Sequence, residues 1–216
     1  MLKDEMNGIY SSLLPEEIPW NIEAPPAVLT EVVESGKINP CRTLDLGCGT
    51  GNYSVYLASR GFEVTGLDLS DEAIRISKSN ALRKNVTVRF IAGDLLEDPL
   101  PPGTCFGFIF EWEVLHHVFP EQRPEWIRKV RDLLEPGGRY LSACFHERDP
   151  GFGGKGKYRK TSLGTELYFS HEEELKELFG SVFRIVELKT LEIAGRSGPH
   201  LINIALMTTG EPAAEP

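Results

Sequence analysis

The sequence predicts an α/β fold: a mostly parallel sheet with helices on both faces. Strand-like and helix-like segments alternate from residue 43 to residue 146, and such alternation argues for parallel strands joined by crossover helices. Three glycines at alternate positions, Gly47, Gly49 and Gly51, follow the first strand directly. That is the carboxyl end of a strand, where open α/β sheets bind ligands. At 216 residues the chain suits one domain with a substantial core.

Residues 1–20 read as irregular, because Pro15 and Pro19 break any long helix. Pro25 and Pro26 open a helix, Ala27 to Ser35, whose Val28, Leu29, Val32 and Val33 keep helical spacing; Gly36 stops it. The alternation then runs strand 43–46, helix 51–59, strand 63–67, helix 71–84 with Ser70 as its cap, and strand 86–91. A strand at 106–110 follows, then a helix around 121–134 with Ile127, Val130, Leu133 and Leu134 on one face, and a strand at 138–146. Residues 149–166 break the rhythm with Gly151, Gly153, Gly154, Gly156 and Gly164. This reads as a mobile loop, and its Lys155, Lys157, Arg159 and Lys160 make it a lid, an anion contact or a solvated surface loop. Ser170 and Glu173 form a capping box for a helix at 171–179 that stops at Gly180. Strands Phe183 to Leu191 and Leu201 to Thr208 close the domain, and residues 211–216 form a disordered tail.

Net charge is −9, so the chain lacks an electrostatic footprint for nucleic acid or an anionic membrane. No apolar run nears the roughly 20 residues that span a bilayer, and Met1-Leu2-Lys3-Asp4-Glu5 is not a signal-peptide start. The expected location is cytoplasmic. Cys41, Cys48, Cys105 and Cys144 fall singly, which favours buried reduced thiols. No metal site is expected.

The spacing of the glycines decides the ligand. A dinucleotide turn needs Gly-x-Gly-x-x-Gly, with the pyrophosphate on the helix N-terminus. Here Asn52 stands where the third glycine would be, and Asp45 precedes the turn. A carboxylate repels pyrophosphate but suits an ammonium group. Asp45-x-Gly47-x-Gly49-x-Gly51 therefore resembles the first motif of the class I S-adenosylmethionine-dependent methyltransferases. Four further segments resemble that family in order. The second strand ends on Asp68, near the offset at which an acid binds ribose hydroxyls. The third ends Ala92-Gly93-Asp94-Leu95, the fourth runs into Val114-Leu115-His116-His117, and Leu134-Glu135-Pro136-Gly137-Gly138 turns into the fifth.

The resemblance implies a Rossmann-like, doubly wound sheet of seven strands, mostly parallel with one antiparallel strand near the C-terminus. It implies an N-terminal arm and helix at 1–36 covering the site, and a methyltransferase domain at 37–210. S-adenosylmethionine would be held by Asp45, Gly47, Cys48, Gly49, Gly51, Asp68 (ribose), Leu69, Asp94 (adenine amino group), Leu95 and Glu111, and would leave as S-adenosylhomocysteine. The acceptor would sit above the carboxyl ends of the fourth and fifth strands, walled by Glu111, Trp112, His116 and His146. Catalytic candidates are His116, Glu113 and Trp20, although methyl transfer needs a base only when the acceptor arrives protonated. Ile18-Pro19-Trp20-Asn21 is similar to the Pro-Trp-Asp element of thiopurine and thiol or halide methyltransferases, with Asn21 replacing the acid. Trp20 is either a lid or an anchor for the arm. Gly107 stands where the family commonly has an acid, which counts against a catechol-type metal mechanism. The expected reaction is methyl transfer to a small molecule such as a thiol or halide. A protein substrate, or cofactor binding without turnover, is the alternative.

Overall fold

Strand β1, Arg42–Leu46, is buried at four of its five residues, as a strand covered on both faces must be. It belongs to a seven-stranded sheet, mostly parallel, with one antiparallel strand near the C-terminus and helices around it. This is the expected fold class. The computed structural model describes residues 2–98, 100–196 and 198–210, so the expected tail at 211–216 lies outside the described residues. The chain groups into two units, Met1–Pro99 and Leu100–Pro216.

In the first unit, β1 pairs in parallel with β2 (Glu63–Asp68), which pairs in parallel with β3 (Arg89–Ala92). Crossover helices α3 (Asn52–Ser59) and α4 (Asp71–Arg83) connect them, preceded by α1 (Leu2–Ser12) and α2 (Ala27–Glu34). Leu44, Leu46, Leu57, Val64, Leu67 and Ile74 fill the core. Ser70 caps α4, its hydroxyl accepting from Ala73 N at 3.1 Å, as its sequence position predicts. Helix α1 corrects the irregular reading of residues 1–20. Met6, Ile9, Tyr10 and Leu13 keep an i, i+3, i+4, i+7 spacing, and Pro15 restricts only the chain beyond Leu13. Asp4 and Glu5 stand in the first turn, where acids suit the helix dipole. β3 begins at Arg89 rather than Val86.

In the second unit, β4 (Phe106–Trp112) pairs in parallel with β5 (Leu134–Phe145) across helix α5 (Arg123–Asp132). β5 pairs antiparallel with β9 (Gly198–Thr208), and β9 antiparallel with β8 (Arg184–Gly195), giving the expected terminal hairpin. Two departures from expectation matter for function. First, the loop at 149–166 contains a hairpin, β6 (Tyr158–Lys160) with β7 (Glu166–Tyr168), and two of its cations bond to other residues of the chain. Arg159 is 4% exposed, donating to the carbonyls of Asp149 at 2.7 Å, Gly151 at 3.1 Å, Gly156 at 2.9 Å, and Glu147. Lys157 pairs with Glu174 at 2.7 Å and Glu147 at 3.7 Å. Second, helix α6 (Glu172–Gly180) is capped by His171 with Glu174, one residue later than predicted. Ser170 is engaged elsewhere: its N–H donates to Phe145 O and its hydroxyl accepts from Arg123.

Among the described residues no helix is long and apolar enough to cross a membrane.

Candidate functional site

The glycine turn is built by backbone conformation. Gly47, Gly49 and Gly51 all take the left-handed region, at φ of 66°, 52° and 78°, where a side chain costs about 1–2 kcal/mol. At Gly51 a Cβ would also stand 2.8 Å from Phe90 Cζ and from Ser77 Cβ. The turn is tied to the end of β2: Gly47 N and Cys48 N both donate to Leu67 O, and Gly49 N donates to Asp68 Oδ2 at 2.8 Å. Asp68 Oδ1 accepts from Ser70 N at 2.8 Å. One carboxylate thus joins the glycine turn to the start of α4.

Within this unit three acids, Asp45, Asp68 and Asp94, stand at or just past the carboxyl ends of β1, β2 and β3. Asp45 is 2% exposed and accepts from Ser54 Oγ at 2.6 Å; burial pushes its pKa up to about 7. Asp68 is 9% exposed, and burial raises its pKa too. Asp94 Oδ1 accepts from Leu96 N at 2.7 Å, shaping the turn after β3. Leu95 is buried and Leu69 half-buried. Cys48 packs with Ile74, Ala81 and Phe90, and burial pushes its thiol well up, as suits an inert core thiol.

The N-terminal arm bonds to the turn. Asn21 Oδ1 accepts from Thr50 Oγ1 at 2.6 Å and from Asn52 Nδ2 at 2.9 Å, while Asn21 Nδ2 donates to Pro15 O at 2.8 Å. An aspartate could not make the last bond. Trp20 Nε1 donates to Tyr10 OH at 2.9 Å, the two rings edge-to-face at 6.3 Å. A Cβ on Gly49 would stand 2.9 Å from that same hydroxyl. Asn7 Oδ1 accepts from Ser70 Oγ at 2.7 Å. Sequence reading missed Tyr10 and Asn7 because it missed α1.

In the second unit, Glu111 ends fully buried. Its Oε2 accepts from Val114 N at 3.0 Å and Leu115 N at 3.2 Å, and Ser142 Oγ donates to Oε1. Its carboxyl, pushed up to about 7 by burial, closes the turn after β4. Glu113 sits in that turn at φ +63° and is also raised to about 7 by burial. Trp112 is half-buried and stacks on Phe110 at 6.3 Å. His116 is 3% exposed and stacks on Phe145 at 4.6 Å and 11°. Burial drives the His116 pKa well down and that of His117 to about 4, and each buries an unpartnered Nδ1. His146 is buried at the end of β5, its Nδ1 accepting from Arg148 N at 3.0 Å. Sequence reading assigned nothing to His200 or Asp149, which pair at 3.3 Å; no local pattern joins residues so far apart. Among the described residues no group of three His, Cys, Asp or Glu could hold a metal ion.

A family model for a methyltransferase domain matches residues 43–138. The chain is 33% identical over 129 residues to a probable thiol methyltransferase 2 of Arabidopsis thaliana, covering 59% of this chain and 56% of that protein. It is 30% identical over 149 residues to a 2-heptyl-1-hydroxyquinolin-4(1H)-one methyltransferase of Mycobacteroides abscessus, covering 67% of this chain and 65% of that protein. The chain thus spans 56–65% of the length of these relatives. Among solved structures, the 1,6-didemethyltoxoflavin-N1-methyltransferase of Burkholderia thailandensis superposes with a TM-score of 0.77 at 21% identity, over 97% of this chain and 88% of that one. A structure from work on the conversion of a disulfide bond into a thioacetal group during echinomycin biosynthesis gives 0.79 at 20% identity, over 96% and 92%. At that identity the likeness is one of fold.

Proposed function

Since the chain belongs to the class I S-adenosylmethionine-dependent methyltransferases, we propose that it transfers a methyl group from S-adenosylmethionine to a small-molecule nucleophile. The observation that carries this reading is the glycine turn of β1, with acids at or just past the carboxyl ends of three consecutive parallel strands. Carboxylates fit a ligand rich in hydroxyl, amino and ammonium groups, and they disfavour a pyrophosphate. Asp68 keeps room for a ribose: each carboxylate oxygen has two lone pairs, and each accepts one backbone N–H. In this reading Asp94 accepts from an adenine amino group, and the left-handed glycines let a ligand approach the backbone.

The donor supplies an electrophilic methyl group. The protein's part is to orient the reactants and exclude water, and orientation can be worth about 7–11 kcal/mol. A relative named as a probable thiol methyltransferase makes a soft small-molecule acceptor the class to try first. Calorimetric titration with S-adenosylmethionine and S-adenosylhomocysteine, with NAD as control, tests the donor site. Binding of the first two and not of NAD is the expected result. NAD binding instead, or no binding by folded protein, would overturn the reading. Mass spectrometry of products from thiols and iodide then tests transfer.

A further inference from the structure

His200 stands at the start of β9, opposite Ile193 of β8, and its ring is held from several directions. Its Nδ1 lies 3.3 Å from Asp149 Oδ2. Phe152 stacks on its face at 5.4 Å and 12°, and the Phe145 ring lies 5.1 Å away. Two glycines leave the space for it: a Cβ on Gly151 would come 3.0 Å from His200 Cε1, and one on Gly195 would come 2.6 Å from Cδ2.

Asp149 is itself fixed. Its Oδ1 accepts from Gly151 N at 2.7 Å and its Oδ2 from Leu201 N at 2.5 Å. Arg159 holds the loop around it through the carbonyls of Asp149, Gly151 and Gly156. The Asp149 side chain is fully buried, while that of His200 keeps 17% exposure. A carboxylate on Nδ1 sets the tautomer and leaves Nε2 to exchange a proton, the arrangement of a base oriented by a third group. Glu113 and Phe152 are two of the three described non-glycine residues in the left-handed region, at φ of 63° and 53°. Backbone strain of that kind concentrates at functional sites. Glu113 directly follows β4 and Asp149 lies shortly after β5, so both stand at the carboxyl ends of parallel strands, the ligand end of such sheets.

We propose that His200, oriented by Asp149, is the catalytic base that takes the proton from a weakly acidic O–H or S–H acceptor. The inference rests on the methyltransferase reading. In the step, the X–H bond breaks, its electron pair forms the new bond from X to the methyl carbon, and the proton passes to His200 Nε2. The pair of the breaking carbon–sulfur bond stays on the donor's sulfur, and solvent later removes the proton from the imidazolium. A halide carries no proton and has no use for the base. The titratable groups around His200 are Asp149, Glu113 and His116. The Asp149 bond holds the imidazole above its ordinary range. Burial alone would raise Asp149, but the His200 bond and the Leu201 and Gly151 amides outweigh it and keep its pKa low.

The test compares wild type with His200→Gln on benzyl mercaptan and phenol, with iodide as the proton-free acceptor. Turnover of the protic acceptors is expected to fall about 10²–10⁴-fold, with iodide turnover and calorimetric donor affinity unchanged. In Asp149→Asn the acid limb of the kcat/KM profile, and the His200 imidazole titration followed by NMR, should both move to lower pH. Wild-type turnover of the protic acceptors by His200→Gln would overturn the inference. So would an equal loss on iodide, which marks a structural role, or an unmoved titration in Asp149→Asn. Wild-type protein that binds the donor yet methylates neither class overturns the transferase reading itself, and this inference with it.

Discussion

Asp68→Asn tests how the turn is tied to the sheet. The side chain is nearly isosteric, but both neighbours of the carboxylate are donors: Gly49 N at 2.8 Å on Oδ2 and Ser70 N at 2.8 Å on Oδ1. The amide offers one acceptor oxygen, and its nitrogen would meet an N–H. One hydrogen bond to a charged acceptor is lost, worth about 1.5–3 kcal/mol. Part of that is offset, because burial raises the Asp68 pKa and the neutral amide avoids the desolvation this reflects. The net destabilisation at pH 7 is about 1–3 kcal/mol. For a chain of this length each kcal/mol lowers Tm by about 2–4 °C, so the fall is about 2–12 °C. Urea unfolding at pH 7 reads the free energy and a thermal melt reads the Tm. Calorimetry should show weaker S-adenosylmethionine binding, because the same side chain shapes the turn. A stability change below about 0.5 kcal/mol, the ordinary range for surface substitutions, would refute the reasoning.

Two further substitutions probe the units separately. Asp45 has a folded pKa of about 7 against an ordinary 3.8, raised by burial, so between those values the native state holds a proton that the unfolded chain has lost. Its contribution to stability is full at low pH and is lost as pH rises through about 7. Asp45→Asn should therefore gain on wild type in paired urea melts between pH 4 and 7 and hold level above, and a pH-independent difference would rule this out. Arg159→Ala removes the donors that hold the 147–156 loop. Amide exchange there should speed up on the order of tenfold or more while α4 keeps its protection, and unchanged loop exchange would show that the clamp does not order it.

The elements that were legible from residues alone are those whose cause is local. The glycine turn had to take left-handed backbone, and Ser70 had to cap α4, whatever the rest of the chain did. The misreadings have an equally physical origin. Pro15 and Pro19 do not weigh against the whole of residues 1–20, because proline restricts only the residue before it and the hydrogen bonds it cannot make; the apolar spacing ahead of Pro15 was the better signal. Glycine and lysine density made 149–166 look solvated, yet Arg159 turns its guanidinium inward, onto backbone carbonyls, and lies 4.0 Å from the Phe169 ring. Ser170 looked like a cap because its type and spacing suit one. Only its engagement with Phe145 and Arg123 moves that role to His171.

The chain's order of turns, caps and apolar runs thus decided the glycine turn, the alternation of strands and helices and the acids at the strand ends, because each depends on a few neighbouring dihedral angles or one face of one element. What Asp149 and His200 do together was decided by tertiary structure. Their pairing requires β5 to meet β9 in one antiparallel register, with Phe145 opposite Ile202, and a one-residue slip of β9 would turn the His200 side chain to the other face. Register is set by backbone hydrogen bonds between strands far apart in the chain, and no short stretch of sequence records it.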